Sequence, residues 1–226
     1  MPEHDHNDSN DQYALTQKDI VAVGGDLEPE SLIKAYANGL FPMPFPYYTI
    51  AWFCPLTRGI LEIKNLHISR TLRRIIKKKE YHYTIDKDFE KVIKHCSQVP
   101  RPHQEGSDGW LTDEMIDAYI NLHRLGHAHS VEIRDKTGDL IGGVYGIDTG
   151  GFFSAESMFY LKPNASKLAI IHLAEHLSER GLDWIDIQMF TPHMGVMGAR
   201  PMARKEFLEK IDGIKDHNLT LFAFNL

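Results

Sequence analysis

Three residues have types and spacings that suit chemistry on a reacting group: Glu156, Asp186 and Gln188. Glu156 stands inside GFFSAESMFY (151–160), a stretch rich in strand-favouring residues and bounded by Gly150, Gly151 and Pro163. Asp186 and Gln188 stand two apart in LDWIDIQMF (182–190), which also reads as a strand. On a period of two, Trp184, Asp186, Gln188 and Phe190 share one face, and Ile185, Ile187 and Met189 the other. In the first stretch Glu156 shares a face with Phe152, Ser154 and Met158. A helix between the two stretches brings them into one sheet, where the three polar groups converge. An unpaired acid among apolar residues costs several kcal/mol, so each needs a partner or a use. Two readings stand. One is a hydrogen-bond network with Ser154, Tyr145 or His129; the other is a site for a cationic group such as an ammonium.

Other chemistry is poorly served. HLAEH (172–176) has two histidines at i, i+4, but Glu175 is misplaced for H-E-x-x-H and no third ligand is evident. His127 and His129 alternate across a strand and point apart. No G-x-S-x-G elbow occurs, and LIGGVYG lacks the strand–loop–helix setting of a phosphate cradle. Cys54 and Cys96 form no C-x-x-C pair and fit a reducing compartment. His4 and His6 lie in a polar, acidic segment (1–12) that reads as a mobile tail and is unlike a signal peptide. No apolar run is long enough to span a bilayer. The chain reads as cytoplasmic, with neither metal nor other cofactor expected.

The elements that must position the three residues are legible from pattern. The 226 residues, 42% hydrophobic and 25% charged, support a sizeable core. Residues 20–23 form a short apolar run, and a helix follows from Pro29, with Leu32, Ile33, Tyr36 and Ala37 as its apolar stripe and Gly39 as its stop. The segment 41–55, dense in proline and aromatics, reads as a stiff loop or a display of ring faces. Residues 58–66 read as a strand. Thr112 caps a helix that stops at Gly126. Three consecutive strands follow, then a helix from about Asn164 to Gly181, the strand 182–190, a helix at 203–211 and an apolar terminal strand from Leu219. From about residue 80 this order predicts a mixed α/β layer arrangement around one sheet. It fits a GNAT-like acyltransferase domain, among other folds. The pyrophosphate loop of acetyl-CoA-using members is missing; LKPNASKLAI stands there, which argues against CoA as donor.

What could carry a donor other than CoA is the segment 67–79, HISRTLRRIIKKK. Between Lys64 and Lys79 there are seven bases and no acid, in a chain of net charge −6. On a helix, Arg70, Arg74, Lys77 and Lys78 share one face, with Leu72, Ile75 and Ile76 on another. A solvated face and an RNA-binding face are both open, and the lack of acids favours RNA. Trp110 suits either base stacking or a core position.

Taken in order, VGGDLEPESLIKAYANGLFP, LHISRTLRR, AYINLHRLGHAHSVE, LIGGVYG, FFSAESMF, NASKLA, IDIQ and GARPMARKEFL resemble the leucyl/phenylalanyl-tRNA–protein transferases. The resemblance implies transfer of an aminoacyl group from aminoacyl-tRNA to the α-amine of proteins beginning with Arg or Lys, whose products enter the N-degron route through ClpS–ClpAP. It implies an α+β fold of two domains, a small N-terminal α/β domain (13–65) packed on a GNAT-like one (66–226). It places Glu156, Asp186 and Gln188 at the catalytic site, and Arg70, Arg74, Lys77 and Lys78 in a tRNA-contacting helix. Trp110 falls near the 3′-terminal adenosine, and Val144, Ile170, Leu173, Leu177 and Ile185 fall in the aminoacyl side-chain pocket. Val144 stands for a methionine, and smaller residues replace aromatics at 173 and 177, giving a roomier apolar pocket that suits Leu, Phe or Met. The alternatives are an arginyl-transferring relative acting on acidic N-termini, a peptidoglycan-type aminoacyl transferase and a tRNA-binding module without turnover.

Overall fold

The structure, a computed structural model, describes residues 15–45, 48–99, 111–214, 217 and 219–222. The first layer is a three-stranded antiparallel sheet, in which β1 (Ile20–Val23) and β2 (Phe41–Phe45) flank β3 (Tyr48–Phe53). Within the proline-rich segment Phe41–Phe45 and Tyr48–Phe53 are therefore strands rather than a stiff loop. Pro42 and Pro44 are tolerated because β2 is an edge strand, where a missing N–H breaks no inner ladder. Between β1 and β2 lies α1 (Pro29–Ala37), with proline at its first position and Leu32, Ala35 and Tyr36 buried.

The larger sheet has seven strands. In chain order they are β4 (Thr57–Glu62), β5 (Tyr81–Ile85), β6 (Ala128–Asp135), β7 (Leu140–Asp148), β8 (Phe153–Tyr160), β9 (Trp184–Asp186) and β10 (Arg200–Ala203). In space the order is β10-β4-β9-β8-β7-β6-β5. The antiparallel run β6-β7-β8 emerges as expected from the sequence. The crossover helix α5 (Ala165–Ser178) then returns the chain so that β9 runs parallel to β8. That parallel pair meets at one register position, Ser154 opposite Asp186.

Two boundaries differ from the sequence reading. β4 was placed in the N-terminal domain ending at residue 65, but it pairs with β9 and β10 and so belongs to the larger sheet. The strand predicted over 182–190 ends at Asp186, because Gln188 turns into the left-handed region at φ 59°. Residues 219–222 lie in no strand, and the rest of the predicted terminal strand falls outside the described residues.

The sheet separates two apolar clusters. α5 contributes Leu168, Ile171 and Leu173 to one, together with Val144, Trp184 and Ile185. α1, α3 (Phe89–Ser97) and α4 (Asp113–Arg124) build the other around Tyr36, Phe89, Tyr119 and Tyr145. Adjacent Val144 and Tyr145 fall in different clusters, as alternation along β7 requires. α2 (Arg70–Lys78) lies on the α5 side through Leu72, Ile75 and Ile76. Its N-cap is Ser69, whose Oγ accepts from the Leu72 amide at 3.3 Å.

Candidate active site

One residue interrupts the β7–β8 ladder. Tyr145 pairs with Ser157 and Gly146 with Ala155, so Glu156 has no counterpart on β7. It is the extra residue of a β-bulge, a device that re-aims a side chain without ending the strand. Gly146 makes room for it: a Cβ there would lie 2.3 Å from the Ser154 carbonyl oxygen.

Glu156 Oε1 accepts from Gln188 Nε2 at 2.5 Å. The backbone amide of Gln188 donates to Asp186 Oδ1 at 2.9 Å. Asp186 also accepts from Ser154 Oγ, from Arg58 Nε at 2.8 Å and from Arg58 Nη2 at 2.6 Å. A carboxylate has about four acceptor positions. All of those on Asp186 are engaged, so its chemistry is to hold its neighbours in place. The third guanidinium nitrogen, Nη1, donates to the Gly39 carbonyl at 3.0 Å, which ties the far end of α1 to the site. Asp186 and the opposing attraction it exerts outweigh burial, and the Arg58 guanidinium is held above its ordinary range.

Glu156 is the group with unused capacity. Its Oε2 is buried and makes no hydrogen bond among the described residues. Desolvation pushes its carboxyl up to about 7, against the Gln188 amide, the nearby Tyr36 hydroxyl and the Arg58 charge; the Asp186 charge adds to the rise. The Tyr36 and Tyr119 hydroxyls lie 2.7 Å apart, and burial holds both phenols protonated, well above their ordinary range. An acid poised near neutrality beside an amide and two phenols suits a cationic or proton-donating ligand group.

The loop carrying Gln188 is clamped by β4. Gly59 donates to the Gln188 carbonyl at 2.9 Å, and its own carbonyl accepts from the Ile187 amide at 3.0 Å. A Cβ at Gly59 would lie 2.6 Å from the Met189 carbonyl carbon, so no other residue fits. A non-glycine residue at positive φ costs roughly 1–2 kcal/mol, a strain this clamp and the Asp186 bond hold in place.

The three predicted site residues thus come together, though not by a shared strand face. Of the partners considered for Glu156, Ser154 binds Asp186 instead, and His129 binds Asp86 at 2.6 Å. Sequence reasoning missed Arg58, Gly59, Tyr36 and Tyr119. The available signal was an arginine followed by glycine just before the apolar pair Ile60–Leu61 in the strand TRGILE. Tyr36 had been counted only as part of an apolar stripe.

Of the other predicted residues, Val144, Ile170, Leu173, Leu177 and Ile185 are all buried in one cluster, which is not the cluster that holds Tyr36 and Tyr119 beside Glu156. Arg70, Arg74, Lys77 and Lys78 are exposed on α2, and none pairs with an acid among the described residues. Trp110 lies outside the described residues. Among those described, no group of three His, Cys, Asp or Glu side chains is arranged to hold a metal. No described helix is long and apolar enough to cross a membrane.

An antiparallel run, a crossover helix and a parallel strand ending at a buried carboxylate–amide centre define a mixed α+β protein. The family model described as leucyl/phenylalanyl-tRNA protein transferase matches residues 60–212, and its N-terminal domain model matches 25–56. A protein of that name from Maridesulfovibrio salexigens is 43% identical over 198 residues, 88% of this chain and 82% of its own length. One from an Anaeromyxobacter species is 44% identical over 200 residues, 88% and 84% of the two chains. Among solved structures, L-PGS from Bacillus licheniformis is similar over 60% of this chain and 46% of its own, at 16% identity and a TM-score of 0.41, too low to bear on the fold. The chain belongs to the leucyl/phenylalanyl-tRNA protein transferase family, and is an aminoacyltransferase. The join between the two family models, at 56–60, falls at the start of β4.

Proposed function

We propose that the chain moves Leu or Phe from aminoacyl-tRNA to the α-amine of proteins whose first residue is Arg or Lys. The observation that carries this reading is the continuous buried chain Glu156–Gln188–Asp186–Arg58, in which Glu156 keeps a buried oxygen with no hydrogen bond among the described residues. Val144, Ile170, Leu173, Leu177 and Ile185 form an apolar lining that suits a Leu or Phe side chain and not an arginyl one.

The ester of aminoacyl-tRNA is already activated, so positioning an amine against its carbonyl supplies most of the acceleration. The amine nitrogen forms the new amide bond, the ester C–O bond breaks, and the 3′ ribose oxygen leaves with a proton. In this reading Glu156 holds an ammonium, of the acceptor or of the donor aminoacyl group. The Gln188 amide, its NH2 committed to Glu156, orients the incoming amine through Oε1. An amide is too weak a base to take the proton itself. Asp186 and Arg58 fix Gln188. The exposed bases Arg70, Arg74, Lys77 and Lys78 meet the tRNA backbone, and Trp110 meets the 3′-terminal adenosine. The products, beginning with Leu or Phe, suit the ClpS–ClpAP degradation route. Cys54 and Cys96, both buried and neither in a disulfide, fit a cytoplasmic setting.

The test is a transfer assay with tRNA charged separately with labelled Leu, Phe, Met or Arg, offered peptides beginning with Arg, Lys, Asp or Glu. Leu and Phe transfer to Arg and Lys peptides is the expected result. Transfer of Arg to Asp or Glu peptides would overturn the assignment of donor and acceptor.

A further inference from the structure

Beyond α2, the same side of the molecule carries an aromatic pair that the transfer chemistry does not use. Tyr83 on β5 stacks on His172 of α5, with ring centroids 4.2 Å apart and planes 16° from parallel. Both nitrogens of His172 are engaged: Nε2 with the Tyr81 hydroxyl at 3.3 Å and Nδ1 with Glu175 Oε2 at 2.8 Å. The imidazole is therefore a fixed base plate. Tyr81 packs against the core, whereas Tyr83 does not and remains 47% exposed. A core explanation serves Tyr81 but leaves Tyr83 with an open ring.

The setting is basic. β5 is the last strand of the larger sheet, so one of its edges carries no strand among the described residues. It begins directly after α2, whose last residues Lys77 and Lys78 and C-cap Lys79 are exposed. The acid between them and Tyr81, Glu80, faces Lys136 at 3.8 Å, and Glu175 is tied to His172. Electrostatic attraction for a phosphate backbone beside a rigid, exposed ring is the combination by which proteins hold unpaired bases.

We propose that Tyr83, backed by His172, is a stacking platform for an unpaired base of the tRNA, set apart from the site that holds its aminoacyl end. The base lies on the outer face of Tyr83, and Lys77, Lys78 and Lys79 contact the flanking phosphates. The proposal rests on the reading of α2 as a tRNA-facing helix and adds to it a contact that is aromatic and tolerant of base identity.

The experiment compares Tyr83→Ala and Tyr83→Trp with the wild-type chain, reading the Kd for Phe-tRNA at fixed salt, the salt slope of binding, KM and kcat for transfer, and thermal melting. The alanine variant should raise Kd and KM roughly 5- to 50-fold with kcat, melting and salt slope unchanged. The tryptophan variant should bind as tightly as wild type or tighter. A Kd within twofold of wild type for Tyr83→Ala, or failure of tryptophan to restore binding, would overturn the platform. If the wild-type chain transfers Phe normally while Tyr83→Ala is indifferent, the platform alone falls. If the wild-type chain binds no tRNA, the reading of α2 falls with it.

Discussion

Arg58 grips Asp186 through two parallel hydrogen bonds, 2.8 and 2.6 Å long, and neither side chain is more than 1% exposed. A fully buried ion pair adds little net stability, but removing one partner is costly because the other is left uncompensated. Here the pair also supports the amide bond from Gln188, so it links stability to the geometry of the site.

Arg58→Ala should therefore destabilise the fold by about 3–5 kcal/mol, read by denaturant unfolding. The double variant Arg58→Met, Asp186→Leu should recover much of that loss, because no charge is stranded. It should transfer nothing, because Gln188 loses its anchor. Equal stability of the two variants would contradict the arrangement.

Gly59→Ala isolates the clamp on the Gln188 loop. The added methyl group meets Met189 and Phe190 backbone atoms at 2.6–2.7 Å, so the loop must move. The expected outcome is a loss of about 1–3 kcal/mol, as for other overpacked sites. kcat should fall at least tenfold with unchanged affinity for tRNA, since the exposed bases proposed to hold the tRNA lie on α2 and not on this loop.

Glu156 predicts a pH dependence of stability with a definite sign. Its carboxyl titrates near 7 when folded and near the ordinary carboxylate value when unfolded. Between those values the folded state binds more protons, so stability falls as pH rises from about 4.5 to about 7 and then levels, by on the order of 3 kcal/mol. Unfolding measured across that window should show the fall, and Glu156→Gln should flatten it. If Glu156 must be ionised to hold an ammonium, transfer should rise through the same window. That limb should vanish in Glu156→Gln, while the limb due to the acceptor amine remains.

How much of this was readable from sequence varies by residue. The strands β6 to β8 and helix α5 follow from period and turn signals, and the residue types of Glu156, Asp186 and Gln188 flagged a site. The crossover helix brings their two strands side by side, as expected, but the strand period does not aim two of the three. Gln188 reaches Glu156 from a left-handed turn beyond the strand, and Glu156 is aimed by a bulge. Neither device has a period that a pattern count detects. Arg58 went unnoticed because its partner lies 128 residues away, a separation no local rule spans. β4 was assigned to the wrong layer for the same reason: its partners, β9 and β10, are encoded at the other end of the chain.

The basic face of α2 carries a prediction in salt. Each of Arg70, Arg74, Lys77 and Lys78 that meets a phosphate adds about 0.7–0.9 to the slope of log K against log salt. Alanine at one of them should reduce the slope by about that amount and raise KM for aminoacyl-tRNA, with kcat at saturation unchanged. A reduced affinity with an unaltered slope would assign the residue a structural role.

The central claim is that the Glu156–Gln188 pair, braced by Asp186 and Arg58, is where the aminoacyl group changes hands. Single-turnover transfer of Phe from saturating Phe-tRNA to an Arg-initiated peptide, compared between wild type and Gln188→Ala, tests it most directly. The account predicts a rate at least 100-fold lower in the variant, with tRNA affinity and melting temperature unchanged. A wild-type rate in Gln188→Ala would move the transfer chemistry elsewhere in the molecule.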